Sequence, residues 1–244
     1  MLKTTSKKLF ELSNISERDK NLINKISLNT KCSGRVKSVE SLNTQPKIIY
    51  SLCKLKEAET LFEVGTGRGT SDLSVSLLEN IKKIVTLDIV PFEKKRDTFC
   101  NFKKVHFSNK DFYNLIDINT KTKIDFLNMV TDEDSSIKYK CKLFPKENYK
   151  NFFDICFIDG NHKIDKYILN DYKVSKYILK NDGFIIFDDY GPDWAVTRVV
   201  DKILKENDNL IGILINTMEQ YPNWGHVIII DKNNQFLEKI SQIC

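Results

Sequence analysis

Five carboxylates, one histidine and a run of alternating glycines stand where they could build a reactive site. Residues 61–69 read Leu-Phe-Glu-Val-Gly-Thr-Gly-Arg-Gly, so three of the nine glycines in the chain fall at Gly65, Gly67 and Gly69, just after Glu63. Asp88 closes the run Lys-Ile-Val-Thr-Leu-Asp, nineteen residues beyond Gly69. Farther on, Phe-Asp-Ile-Cys-Phe-Ile leads into Asp159-Gly160-Asn161-His162, and Phe-Ile-Ile-Phe leads into Asp188-Asp189-Tyr190. Alternating glycines allow positive φ and let a ligand approach the main chain closely. An acidic residue about twenty positions later is placed to accept hydrogen bonds from a ribose diol. Several aspartates together can supply oxygen ligands to a hard cation, and histidine is the side chain best suited to exchange a proton near neutral pH.

These residues need elements to hold them. Residues 60–64 are apolar and precede the glycines, and Leu73, Leu77 and Leu78 follow at helical spacing. The order predicts a buried strand, a tight turn and a helix start. Residues 83–88, 153–159 and 184–189 are further strands, with a helix carrying Ile164, Ile168, Ile178 and Leu179 between the last two. Asn181-Asp182-Gly183 is expected to end that helix in a left-handed cap. Parallel strands of an α/β sheet present their carboxyl ends along one rim, so Glu63, Asp88, Asp159, Asp188 and Asp189 should converge there. Residues 210–216 and 225–231 read as a closing strand pair with one antiparallel member. The fold class is therefore α/β, a mostly parallel Rossmann-like sheet flanked by helices. Residues 1–45 form an N-terminal helical extension, with apolar positions at Leu9, Leu12, Ile15, Leu22, Ile23 and Ile26. Residues 46–244 form the main domain, with Pro46 suiting a helix start and an insertion expected at about 113–150. A short strand at 105–107, before that insertion, and another at 124–130, within its bounds, are the further strand candidates after Asp88.

The glycine spacing discriminates among nucleotides. A dinucleotide fold wants G-x-G-x-x-G around a pyrophosphate, whereas an acid just before the glycines here favours a cationic ligand. The stretch resembles the first motif of class I S-adenosylmethionine (SAM) methyltransferases. The pair Phe157-Ile158-Asp159-Gly160-Asn161-His162 and Ile186-Phe187-Asp188-Asp189-Tyr190 resembles metal-dependent small-molecule O-methyltransferases of the macrocin and novobiocin sugar type, and a related D-G-x-H group. The resemblance implies a SAM site formed by Glu63, Gly65, Thr66, Gly67, Gly69 and Asp88. It implies that Asp111, or Asp132 or Asp134, reads the adenine amino group. It also implies Mg²⁺ held by Asp159, Asp188 and Asp189. In the sugar enzymes a second acid stands two residues past the first metal aspartate; here that position is Asn161, so His162, with Asp159, is the expected catalytic pair.

Composition sets the outer bounds. At 244 residues, 41% hydrophobic and 29% charged, the chain suits one soluble domain with a full core. The net charge of +5 arises from scattered lysines, without a basic stripe or an Asn/Asp-Pro-Pro-aromatic motif. A nucleic-acid partner is therefore not expected. No apolar run approaches eighteen residues, so neither is a membrane partner. The six cysteines, Cys32, Cys53, Cys100, Cys141, Cys156 and Cys244, lack C-x-x-C spacing, which fits a reduced, cytoplasmic setting. The reading is methyl transfer from SAM to a small-molecule hydroxyl with Mg²⁺ assistance, and association of copies through the N-terminal helices. Its alternatives are a metal-independent O- or N-methyltransferase and a silent SAM-fold interaction module.

Overall fold

The computed structural model describes residues 1–29, 39–90, 123–217 and 223–244. Among these, eight strands form one sheet: β1 (Leu2–Thr5), β2 (Thr60–Val64), β3 (Lys83–Leu87), β4 (Lys123–Leu127), β7 (Phe153–Ile158), β8 (Leu179–Tyr190), β9 (Leu210–Asn216) and β10 (Gly225–Asp231). Their order is β1-β9-β10-β8-β7-β2-β3-β4. β10 runs antiparallel to both β8 and β9, and every other pairing is parallel. A small separate sheet pairs β5 (Met129–Val130) with β6 (Lys142–Leu143).

The inner strands are apolar without alternation because both faces of the sheet are covered. Leu61, Ile155, Phe157 and Ile186 face one core, shared with Leu9 of α1 (Ser6–Ser13), Ile23 of α2 (Glu17–Asn29) and Ile48 and Leu52 of α3 (Val39–Lys56). Phe62, Cys156, Ile158 and Phe187 face the other, against α6 (Asp165–Ile178) and α7 (Ala195–Glu206). Period-two alternation within one uninterrupted apolar run thus sends neighbours to opposite cores. The remaining helices are α4 (Thr70–Val75), α5 (Glu133–Tyr139) and α8 (Gln235–Ser241). From β2 the chain steps to β3 and β4 on one side, and β7 and β8 lie on the other. The strand order therefore reverses between β2 and β7, and the crevice where α/β sheets bind ligands lies there.

Several expectations are corrected. The N-terminal segment opens with β1, whose Leu2 to Thr5 add to the sheet edge beside Ile213 to Asn216; four residues are too short to announce a strand period. Pro46 lies inside α3 rather than at its start. Asn181-Asp182-Gly183 is no helix cap: α6 stops at Ile178, and Leu179 is already extended. Gly183 serves a close approach instead, since a Cβ there would stand 2.7 Å from the Asp154 carbonyl oxygen. The strand expected at 124–130 splits at Asn128 into β4 and β5, and the Asn128 amide donates to the Asp88 carbonyl at 2.9 Å. The described part of the expected insertion, from residue 123 on, supplies β4 of the main sheet as well as β5, α5, β6 and a 3₁₀ turn (Lys146–Tyr149). Val105, Phe107 and Asp111 lie outside the described residues.

Candidate active site

The glycine turn closes β2 onto its neighbours. Gly65, Gly67 and Gly69 all take positive φ, at 98°, 51° and 69°. The amides of Gly65 and Thr66 donate to the Leu87 carbonyl at 2.8 and 3.1 Å, Gly67 donates to Asp88 Oδ2 at 3.2 Å, and Gly69 donates to Thr66 at 2.7 Å. These amides tie the turn to the end of β3 and form no open anion cradle. Asp88 also accepts from the Val90 amide, through Oδ1 at 2.9 Å. A carboxylate offers about four lone-pair sites, so both oxygens of Asp88 can still meet a diol.

Glu63 lies behind the turn rather than on its ligand side. It is 2% exposed, accepts from the Thr86 hydroxyl at 2.5 Å and shares a hydrogen bond with Asp72. Burial, then the charge of Asp72, drives its carboxyl well above the usual range. Thr66 Oγ1 lies 2.7 Å from Thr86 Oγ1 and extends the same inward network. Glu63 and Thr66 therefore shape the turn from beneath, and Gly69 sits at the start of α4. Gly65, Gly67 and Asp88 line a cleft of about 330 Å³, whose other walls include Ile89, Met129 and Tyr167. That volume is in the range of small-molecule sites. Asp132 also borders the cleft, but its carboxylate caps α5 by accepting from the Ser135 amide at 2.8 Å. Asp134 pairs with Lys166 at the surface.

At the open edge of this cleft the second set of residues gathers. Asp159 follows β7, and its Oδ2 accepts from the Gln45 side-chain amide of α3 at 2.7 Å. His162 lies with Nε2 3.5 Å from Asp159 Oδ1 and Nδ1 3.5 Å from Asp189 Oδ2. In a regular strand Asp188 and Asp189 would point to opposite faces. Here the pairing with β10 slips by one residue, from Val227 opposite Phe187 to Gly225 opposite Tyr190, and Asp189 takes φ 53°. That bulge turns both carboxylates towards Asp159. Burial, then the neighbouring Asp188, raises the Asp159 carboxyl well above its ordinary range; burial, then Asp188, also raises Asp189. Buried His226 of β10 sits 3.0 Å from Asp188 Oδ1 in a contact too bent for a hydrogen bond. Asn161 Oδ1 accepts the amides of Lys163 and Ile164, both at 2.9 Å, in a turn that leads into α6. Trp194 meets His162 edge-on at 6.1 Å and Trp224 at 5.8 Å, forming an aromatic wall beside the carboxylates.

The structure thus brings Asp159, Asp188, Asp189 and His162 together, and brings Asp88 to the glycine turn one strand away. Among the described residues no set of three or more His, Cys, Asp and Glu side chains lies in geometry ready to hold a metal ion. Sequence reasoning missed Gln45, His226 and Asp171 of α6. A histidine inside the apolar run of β10 is a signal of a buried polar role. Asp171, three residues after Ile168 on the helix's apolar stripe, is another. Nothing in the sequence singles out Gln45.

No protein-family model and no curated protein matches the chain. Solved structures do. An O-methyltransferase from Bacillus cereus in complex with SAH, the demethylated cofactor, is 15% identical, with 89% of this chain and 92% of that one covered at a TM-score of 0.51. The O-methyltransferase TomG from Streptomyces achromogenes, involved in tomaymycin synthesis and in complex with SAM, is 14% identical, with 89% and 90% covered at 0.52. A spermidine synthase in complex with the transition-state analogue AdoDATO is 14% identical at 0.52, but 80% of this chain spans only 62% of that one. These likenesses and the strand order give the chain the Rossmann-like class I methyltransferase fold.

Proposed function

We propose that the chain transfers a methyl group from SAM to a hydroxyl of a small molecule. The observation that carries this reading is one rim shared by two sets of residues. The glycine turn and Asp88 border the cleft at the switch between β2 and β7, and Asp159, Asp188, Asp189 and His162 cluster at the next two strand ends. Asp88 would hold the ribose diol, and the tight turn would let the main chain approach the methionine part of the cofactor. Methyl transfer is an in-line displacement at a sulfonium carbon, so placing nucleophile and donor is most of the task. The Trp194–Trp224 wall and the carboxylates border the space from which an acceptor oxygen would approach.

His162 stands between two carboxylates, which favour an orientation in which one ring nitrogen donates to Asp159 or Asp189. The other nitrogen, which faces the second carboxylate at 3.5 Å, would take the hydroxyl proton where an acceptor oxygen enters between the two. Asp159, Asp188 and Asp189 together offer only oxygen ligands, the donor chemistry that Mg²⁺ selects. A bound Mg²⁺ would lower the pKa of the acceptor hydroxyl.

The test is incubation with methyl-labelled SAM and a panel of hydroxyl compounds, in Mg²⁺ and in excess EDTA. Label transferred in Mg²⁺ and lost in EDTA is expected. Full transfer in EDTA would remove the metal and keep the methyl transfer. SAM bound with no label leaving it, for any oxygen or nitrogen acceptor, would overturn the reading in favour of a silent binding module.

A further inference from the structure

Two side chains reach the acidic cluster from within the protein. Gln45 of α3 donates through Nε2 to Asp159 Oδ2 at 2.7 Å. It stands one turn before Ile48 and Ile49, which are fully buried where α3 packs on the sheet. Helical spacing puts all three on one face, so the packing that fastens α3 also aims the amide at the end of β7. His226 of β10 is 3% exposed, and neither ring nitrogen has a hydrogen-bond partner among the described residues. Its Nε2 points at Asp188 Oδ1 from 3.0 Å. A buried polar group without a partner is costly, and this one is aimed into the cluster.

The consequence is clearest at Asp159. Its main chain is fixed by β2: the amide donates to the Val64 carbonyl at 2.8 Å, and the carbonyl lies against Gly65. Its side chain can still rotate, and the Gln45 amide holds Oδ2 in one setting. Oδ1 then lies towards His162, 3.5 Å from Nε2, and the carboxyl comes within hydrogen-bonding reach of Asp188. At Asp188 the oxygen facing His226 is again only one of the two. Carboxylates that ligate metal ions are themselves oriented by hydrogen bonds of this kind. We infer that Gln45 is a positioning residue for a divalent cation at Asp159, Asp188 and Asp189, and that it acts through Asp159. This inference rests on the Mg²⁺ reading of the cluster. It also draws α3 into the site, which the carboxylates of β7 and β8 do not complete alone.

The experiment titrates Mn²⁺, which shares the oxygen preference of Mg²⁺, into the full chain and follows the free ion by electron paramagnetic resonance. Gln45→Met keeps the length of the side chain and removes the donor. It should weaken Mn²⁺ binding by about tenfold or more. Gln45 is only half-buried, so Gln45→Ala opens no core cavity and stands in if the methionine variant fails to fold. With Asp159→Ala already in place, the Gln45 substitution should cost little further, because the residue through which it acts is gone. Mn²⁺ bound equally well by the parent and the Gln45 variant overturns the inference and leaves the metal reading standing. A loss equally large in the Asp159→Ala background marks a general loosening of the site and also overturns it. No Mn²⁺ bound by the intact chain overturns it together with the Mg²⁺ part of the proposed function.

Discussion

At Gly65 the turn after β2 closely approaches the end of β7, and Gly65→Ala tests whether that contact builds the crevice. An alanine Cβ there would stand 2.0 Å from the Asp159 carbonyl oxygen, 2.5 Å from its carbon and 2.9 Å from the Gly160 nitrogen. All three are backbone atoms, so no side chain can swing aside. Relief requires the β2 turn and the end of β7 to part by more than 1 Å, about the shortfall from ordinary contact. That movement would strain the hydrogen bond from the Asp159 amide to the Val64 carbonyl, now 2.8 Å. The residue would also hold a side chain at φ 98°. Left-handed strain, overpacking and the weakened bond together place the cost at about 3 to 6 kcal/mol. Gly67→Ala is the control. Its φ is also positive, at 51°, but the nearest atom to a Cβ there is 3.9 Å away, so only the conformational cost of about 1 to 2 kcal/mol remains. Urea denaturation followed by far-ultraviolet circular dichroism should therefore show Gly65→Ala losing at least about 2 kcal/mol more than Gly67→Ala. Equal losses, or a larger loss at Gly67, would refute the close-approach reasoning.

Three further outcomes follow from the site. Asp88→Ala should weaken SAM by about 1.5 to 3 kcal/mol, as for a lost charge-assisted hydrogen bond; titration of both proteins measures it, and unchanged affinity would take the ribose away from Asp88. His162→Ala should lower kcat by about 10²- to 10⁴-fold with SAM affinity little changed, whereas a kcat within a few-fold of the parent removes the base role. Asp171 holds its proton more tightly folded than unfolded, with its carboxyl raised from 3.8 to about 7 chiefly by burial. Its contribution to stability is therefore full below about pH 4 and declines as pH rises towards 7, by up to about 4 kcal/mol. Asp171→Asn should flatten that part of the stability–pH curve, and parallel curves for parent and variant would contradict the burial argument.

The sheet was legible in the sequence wherever strands are covered on both faces. Residues 153–158 and 184–187 are uninterrupted apolar runs, and such runs need a two-sided core. The convergence of Asp159, Asp188 and Asp189 followed from the rule that parallel strands share a rim. How Asp188 and Asp189 both reach it was not legible, because the bulge opposite His226 depends on a register set by β10. Glu63 was read as a ligand contact, but its depth comes from β3 and α4 packing over it, and tertiary placement decides which face of a strand end meets solvent. Gly183 looked like a cap because the Asn-Asp-Gly triplet is common at helix ends; the close carbonyl of Asp154 that demands the glycine lies about thirty residues away. Asp171 was hidden by its setting among apolar helix positions, although a charge on that stripe was itself the clue.

The most direct test of the central claim is a calorimetric titration of the intact chain with SAM, with NAD as the competing nucleotide. Saturable one-to-one binding of SAM, with NAD bound far more weakly or not at all, is the expected result. It would follow from a glycine turn whose amides are tied to β3 instead of cradling a pyrophosphate. NAD bound more tightly than SAM, or no binding of SAM at all, would contradict the account.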